Sequence, residues 1–153
     1  MHEKLMQEAI RVAEEAYRKG HPPFGVVITH NESVIATGHN SVEKDNDPTA
    51  HSEMQAIREA SRNRGHADLS GCDLYTILEP CPMCAAAIVW ARIETVIIGA
   101  RNPAYGAAVS LQPTIFEQMK HVHQVKVVEG VLGDQCRELV SRMRHAAISD
   151  GGA

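Results

Sequence analysis

Leu5, Ala9, Ile10, Val12, Ala13, Ala16 and Tyr17 recur at the spacing of one helix face, with charged residues between them. Residues 2–19 therefore read as an amphipathic helix. Gly20 supplies a stop, and Pro22-Pro23 cannot continue the turn. Two β-rich runs follow at 24–29 and 34–38, and the polar His30-Asn31-Glu32-Ser33 between them reads as a hairpin turn. The polar stretch 41–48 reads as a loop. Residues 49–62 read as a helix, with Met54, Ile57 and Ala60 on one side and Gly65 near its end. A strand at 74–78, a short and almost wholly apolar helix at 82–91 and a strand at 95–99 form a strand–helix–strand unit, which implies two parallel strands with a right-handed crossover. A helical stretch at 115–120 leaves room for a second crossover, so 125–128 should run parallel to its neighbour. A helix over 132–146, with Asp134 as its N-cap, closes the chain. This pattern predicts an α/β fold in three α/β/α layers around a mixed sheet of about five strands, as one domain over 1–148 with a flexible Gly-rich tail at 149–153.

A chain of 153 residues, 44% hydrophobic and 22% charged, can bury one sizeable core. The longest apolar run, 85–90, is far too short to span a membrane. The charged, amphipathic N-terminus does not read as a signal peptide, so a cytoplasmic protein with no membrane partner is expected. Fifteen basic residues against nineteen acidic ones give a net charge of −4. That balance argues against a general polyanion binder, although a local basic patch remains compatible with it.

The four cysteines are unevenly placed. Cys72 and Cys136 stand alone among apolar or helical neighbours and read as buried, inert thiols, whereas Cys81 and Cys84 form a C-x-x-C. That pair alone fits a redox site as well as a metal site; His51-Ser52-Glu53 upstream turns the reading to metal. His51, Cys81 and Cys84 supply three ligands suited to Zn²⁺ and leave the fourth tetrahedral position open, the pattern of a catalytic rather than a structural zinc. Cys72 is the residue that would close the site if the zinc were structural. Glu53 is the candidate general acid/base. Both halves of the motif fall at expected helix starts, Pro48-Thr49 and Pro82, where unpaired N–H groups favour ionised thiolates. Residues two apart in a regular helix diverge, so His51 and Glu53 can converge only at an irregular helix end.

The H-x-E…P-C-x-x-C arrangement is that of the zinc deaminases. With Asn46 through Glu53 and Leu78 through Cys84, the chain resembles the cytidine deaminase superfamily, in the branch of guanine deaminases, tRNA adenosine deaminases and fungal-type cytosine deaminases. The resemblance covers nearly the whole chain. It implies a zinc-dependent nucleobase aminohydrolase with one Zn²⁺ per chain, built as a homodimer. It further implies substrate contacts from Asn40 and from the backbone N–H of Ala50. Within the branch, Pro23-Phe24-Gly25 and Trp90 resemble guanine deaminases, and Phe24 and Trp90 join the substrate-binding set on that basis, with core packing or a dimer contact as the other readings of Trp90. The segments 99–111 and 129–136 resemble the tRNA enzymes instead, but Asn102, Ala104 and Tyr105 replace their usual aspartate, lysine and threonine. Tyr105 is then a candidate to stack on a base or cover the pocket. Arg137, Arg142 and Arg144 are candidates for phosphate contacts or a solvated helix face. The tail 145–153 lacks the aromatic segment common in guanine deaminases. The favoured expectation is a small-molecule nucleobase or nucleoside as substrate, guanine first. The alternative is the wobble adenosine of a tRNA, and a third reading is a non-catalytic zinc-binding protein.

Overall fold

The computed structural model describes residues 1–149, with side-chain surroundings through 142. It opens with α1 (His2–Arg18), followed by β1 (Gly25–His30) and β2 (Ser33–His39). These strands form an antiparallel hairpin whose two central residues, Asn31 and Glu32, both have positive φ, at 50° and 66°. Two left-handed residues give the turn the twist of its flanking strands, as tight hairpins require. Next come α2 (Val42–Asp45), α3 (Ser52–Arg64), β3 (Cys72–Leu78), α4 (Pro82–Ala91), β4 (Thr95–Ala100), α5 (Ile115–Gln118), β5 (Lys126–Val128) and α6 (Gly133–Ser149). The sheet order is β2-β1-β3-β4-β5. β1 is antiparallel to both β2 and β3, while β3–β4 and β4–β5 are parallel, so the sheet is mixed as expected.

Alternation along the central strands builds two cores. Val26, Ile28, Leu74, Val96 and Ile98 pack with Ala56 and Ala60 of α3 and with Ile88 and Val89 of α4. Their neighbours Val27, Tyr75, Ile77 and Ile97 face the other way, onto Leu5, Met6 and Ile10 of α1 and Leu139 of α6. The result is the three-layer α/β/α arrangement. Among the described residues, no helix is long and apolar enough to cross a membrane.

Several boundaries differ from the sequence reading. The expected loop 41–48 contains the single turn α2. Asn40 Oδ1 accepts the Val42 N–H at 3.1 Å, Ser41 donates to Asp45 at 2.8 Å, and Asn46 ends the turn at φ 50°. One turn is too short to leave a hydrophobic period. α3 begins at Ser52 rather than residue 49, because Asp47 captures both the N–H and the hydroxyl of Thr49, at 2.8 and 2.7 Å, in a tight turn. Asp134 is not the N-cap of α6. The helix starts at Gly133, the Leu132 carbonyl accepts the Cys136 N–H at 3.1 Å, and Asp134 lies in the first turn, paired with Arg137. The strand expected at 125–128 pairs only over β5. Cys72 and Cys136 are buried, and burial pushes the Cys136 thiol up to about 11. The tail expected at 149–153 lies, from residue 150, outside the described residues.

Two glycines set how closely helices approach the hairpin. A Cβ on Gly25 would lie 2.6 Å from the Ala13 backbone nitrogen, and one on Gly38 would lie 2.6 Å from that of Ala56 and overlap the Ser52 carbonyl. Because these neighbours are backbone, neither helix can yield by a rotamer change. Gly38→Ala should therefore lose about 1–3 kcal/mol of unfolding free energy in urea titration, and Gly25→Ala a similar amount.

Candidate metal centre and active site

His51 and Cys81 occupy equivalent places, each the N-cap of a helix, α3 and α4 respectively. Both have extended backbones, at φ −69°, ψ 158° and φ −70°, ψ 171°, and neither side chain caps its own helix. Both side chains are thus free to turn toward each other, and Cys84 joins them from the first turn of α4. His51 Nδ1 lies 3.6 Å from Cys81 Sγ and 3.6 Å from Cys84 Sγ. Zinc bonds of roughly 2.0 Å to nitrogen and 2.3 Å to sulfur at tetrahedral angles place nitrogen and sulfur about 3.5 Å apart. The donor set therefore fits Zn²⁺ in both chemistry and spacing.

Cys72 does not complete the set. It stands at the opposite end of β3 from Leu78, roughly 20 Å away at the rise of an extended strand. Among the described residues, the cluster able to hold a metal comprises His51, Cys81 and Cys84. Three ligands would leave one coordination position for water, and His51 and Cys81 of the set line a cavity of about 170 Å³. Glu53 lines that cavity beside His51 and Cys81. It is 7% exposed and accepts a hydrogen bond from the Ser52 hydroxyl at 2.6 Å. Burial raises its carboxyl above the ordinary range. His51 and Glu53 converge because one is the cap and the other the second helical residue, the irregular geometry the sequence required.

A model of the cytidine and deoxycytidylate deaminase zinc-binding region matches residues 1–100. The chain belongs to this zinc-binding deaminase family. It is therefore an enzyme family member with zinc as its metal. The tRNA-specific adenosine deaminase of Bacillus subtilis (strain 168) is 41% identical over 139 residues, covering 91% of this chain and 86% of that protein. A solved structure from a study of A-to-I editing by tRNA:A34 deaminases superposes with a TM-score of 0.82 at 36% identity, covering 89% of this chain and 98% of the other. The guanine deaminase of Bacillus subtilis is 45% identical, with a TM-score of 0.64, over 66% of this chain and 65% of its own. The deaminase reading of the sequence thus stands. Within it, the similarity that spans the chain favours the tRNA alternative over the guanine expectation.

Three of the residues singled out as deaminase substrate contacts line the cavity: Phe24 and Asn40 on one side, and Tyr105 at the outer edge, 57% exposed. Two do not. Trp90 is 67% exposed and absent from the lining. Cys84, Ala85, Ile88 and Val89 form the inward face of α4, which leaves Trp90 on the outward stripe with Met83 and Ala87. Ala50 is buried, and its N–H is committed to the Asp47 carbonyl at 3.1 Å. On α6, Arg137 pairs with Asp134 and Arg142 with Glu138. The side chain of Arg144 lies outside the described residues.

The sequence reading gave no role to Glu79, which also lines the cavity. Its burial would raise the carboxyl, but hydrogen bonds from Ser110, Asn102 and Val109 outweigh that and hold it below its ordinary value. Its only sequence signal was its place beside Pro80-Cys81. Replacing Cys84 with alanine should remove nearly all zinc from purified protein by elemental analysis, whereas Cys72→Ala should leave the zinc content unchanged.

Proposed function

We propose that this protein deaminates the wobble adenosine of a tRNA to inosine, with His51, Cys81 and Cys84 holding zinc and Glu53 moving the protons. The observation that carries the reading is the similarity to tRNA-specific adenosine deaminases across nine-tenths of the chain. A feature of the surface supports it. A second cleft shares Asn40 with the cavity and is lined by Lys19, His21 and Lys44, together with Glu43. Lys44, with Lys19 that also pairs with Glu15, offers a place for backbone phosphates beside an extruded base, on a chain whose overall charge is acidic.

Zinc in the site supplies a Lewis acid that lowers the pKa of water toward roughly 7. Glu53, shielded from solvent, takes a proton from the attacking water and delivers it to the ring nitrogen. A second transfer through the same carboxylate lets the exocyclic amine depart as ammonia, leaving a carbonyl on the ring. Asn40 is fixed in orientation because its Oδ1 is held by the Val42 N–H, which leaves its amide N–H₂ to donate to the base. Phe24 forms an apolar wall, and Tyr105 at the mouth presents a ring on which a flanking base can stack. A homodimer fits the outward stripe of α4, where Trp90 is exposed and Met83 and Ala87 are half-buried, and a cytoplasmic location fits a tRNA substrate.

A second reading, guanine deamination, draws on Phe24 in the cavity wall and on the 45% identity to the Bacillus subtilis guanine deaminase over two thirds of the chain. Ammonia release by zinc-loaded protein from an anticodon stem-loop with adenosine at the wobble position, compared with guanine, cytosine and free adenosine, separates the two. The stem-loop should be converted to inosine and the free bases left nearly untouched; turnover of guanine without the stem-loop would overturn the proposal. Glu53→Gln should retain zinc and lower kcat by about 10²–10⁴-fold. Trp90→Glu should convert a dimer into a monomer in light scattering, with zinc content unchanged.

A further inference from the structure

The Glu79 carboxylate sits between the metal-binding motif and the loop that forms the cavity mouth. Oε1 accepts the Asn102 N–H at 3.0 Å and a short hydrogen bond from the Ser110 hydroxyl. Oε2 accepts the N–H groups of Ala108, Val109 and Ser110 at 3.2, 2.7 and 2.8 Å. Five donors from one loop thus converge on a single side chain that is 2% exposed. Gly106 shows how tightly they close, since a Cβ there would lie 2.5 Å from Glu79 Oε1 and 2.5 Å from the Asn102 carbonyl. Asn102 in turn shapes the turn that carries Tyr105. Its carbonyl accepts the Gly106 N–H at 2.7 Å, and its Oδ1 faces the Tyr105 N–H at 3.4 Å.

A carboxylate is the side chain this cage requires, because both of its oxygens only accept. An amide of the same shape would present N–H₂ on one side. Turned either way, it leaves the Asn102 N–H or the three amides from Ala108 to Ser110 unpaired. We infer that Glu79 is a positioning residue for substrate selection: it holds the turn from Asn102 to Gly106 over the cavity, and so sets where Tyr105 meets the substrate. The inference rests on the proposed deaminase reading for its substrate, but the contacts that carry it need none. Both Glu79 oxygens are spent on the loop donors, so it acts through Asn102 and Tyr105.

A double-mutant cycle with hydrogen exchange tests this. Glu79→Gln should leave zinc content unchanged, speed exchange of the Asn102 and Ala108–Ser110 amides relative to the β3 and β4 amides, and reduce kcat/KM on the wobble stem-loop about tenfold or more, mainly through KM. Tyr105→Ala should reduce kcat/KM on the same substrate, and Glu79→Gln should add little in that background, because both changes act on one contact. Losses that simply multiply in the double variant would overturn the inference. So would loop amides that exchange no faster in Glu79→Gln than in wild type. If Glu79→Gln does not fold, Ser110→Ala removes one of the five bonds and should show the same pattern at smaller size. If the wild type converts guanine and not the stem-loop, the tRNA reading fails by itself, and the same cycle read on guanine still decides the role of Glu79.

Discussion

Everything at the site depends on two helix starts meeting beside the end of a strand. α3 and α4 approach the sheet from the same layer, and each begins with an extended residue whose side chain is not used as a cap. Had His51 or Cys81 been a serine or aspartate capping its own helix, that side chain would have turned back onto its N–H groups and away from its partner. The approach is fixed from beneath by Gly38, whose missing Cβ lets β2 press against the first turns of α3. The spacing of three ligand atoms is thus set by backbone packing some distance from them.

That dependence explains what the sequence disclosed. The ligands, and the place of Glu53 beside them, were legible because the pattern is local: three residue types at short spacings around two helix starts. The strand–helix–strand unit and its parallel pairing were legible because Leu74, Val96 and their neighbours alternate over runs long enough to show a period. Asp134 was misplaced because the entry to α6 is made by the Leu132 carbonyl, a backbone contact that composition does not encode. Trp90 lies outside the cavity lining for a related reason. Resemblance to guanine deaminases placed it among the substrate contacts, but a displacement of a few positions along α4 decides whether a side chain faces the cavity or solvent. The resemblance implied a substrate contact from the Ala50 N–H, and the Asp47 turn that engages this N–H is not visible in a short motif.

Glu79 marks the limit of local reading. Its five donors come from residues 23 to 31 positions further along the chain, and no short pattern announces that they return to it. The arrangement ties the rim of the cavity to the segment that carries Cys81 and Cys84. Pro80 adds a second tie, its carbonyl accepting the Ala107 N–H at 2.9 Å. Metal site and mouth are therefore one mechanical unit, although they are separated in sequence and differ in chemistry.

Trp90 has a last consequence. It is the one tryptophan of the chain, and it stands on the solvent face of α4, away from the cavity. The intrinsic fluorescence of this protein is accordingly a reporter of that outer surface. A second copy settling on α4 takes the indole out of water and shifts its emission, whereas a base entering the cavity, which Trp90 does not line, leaves that emission where it was. The residue that the sequence suggested would touch the substrate is, by its position, the optical label of a different event.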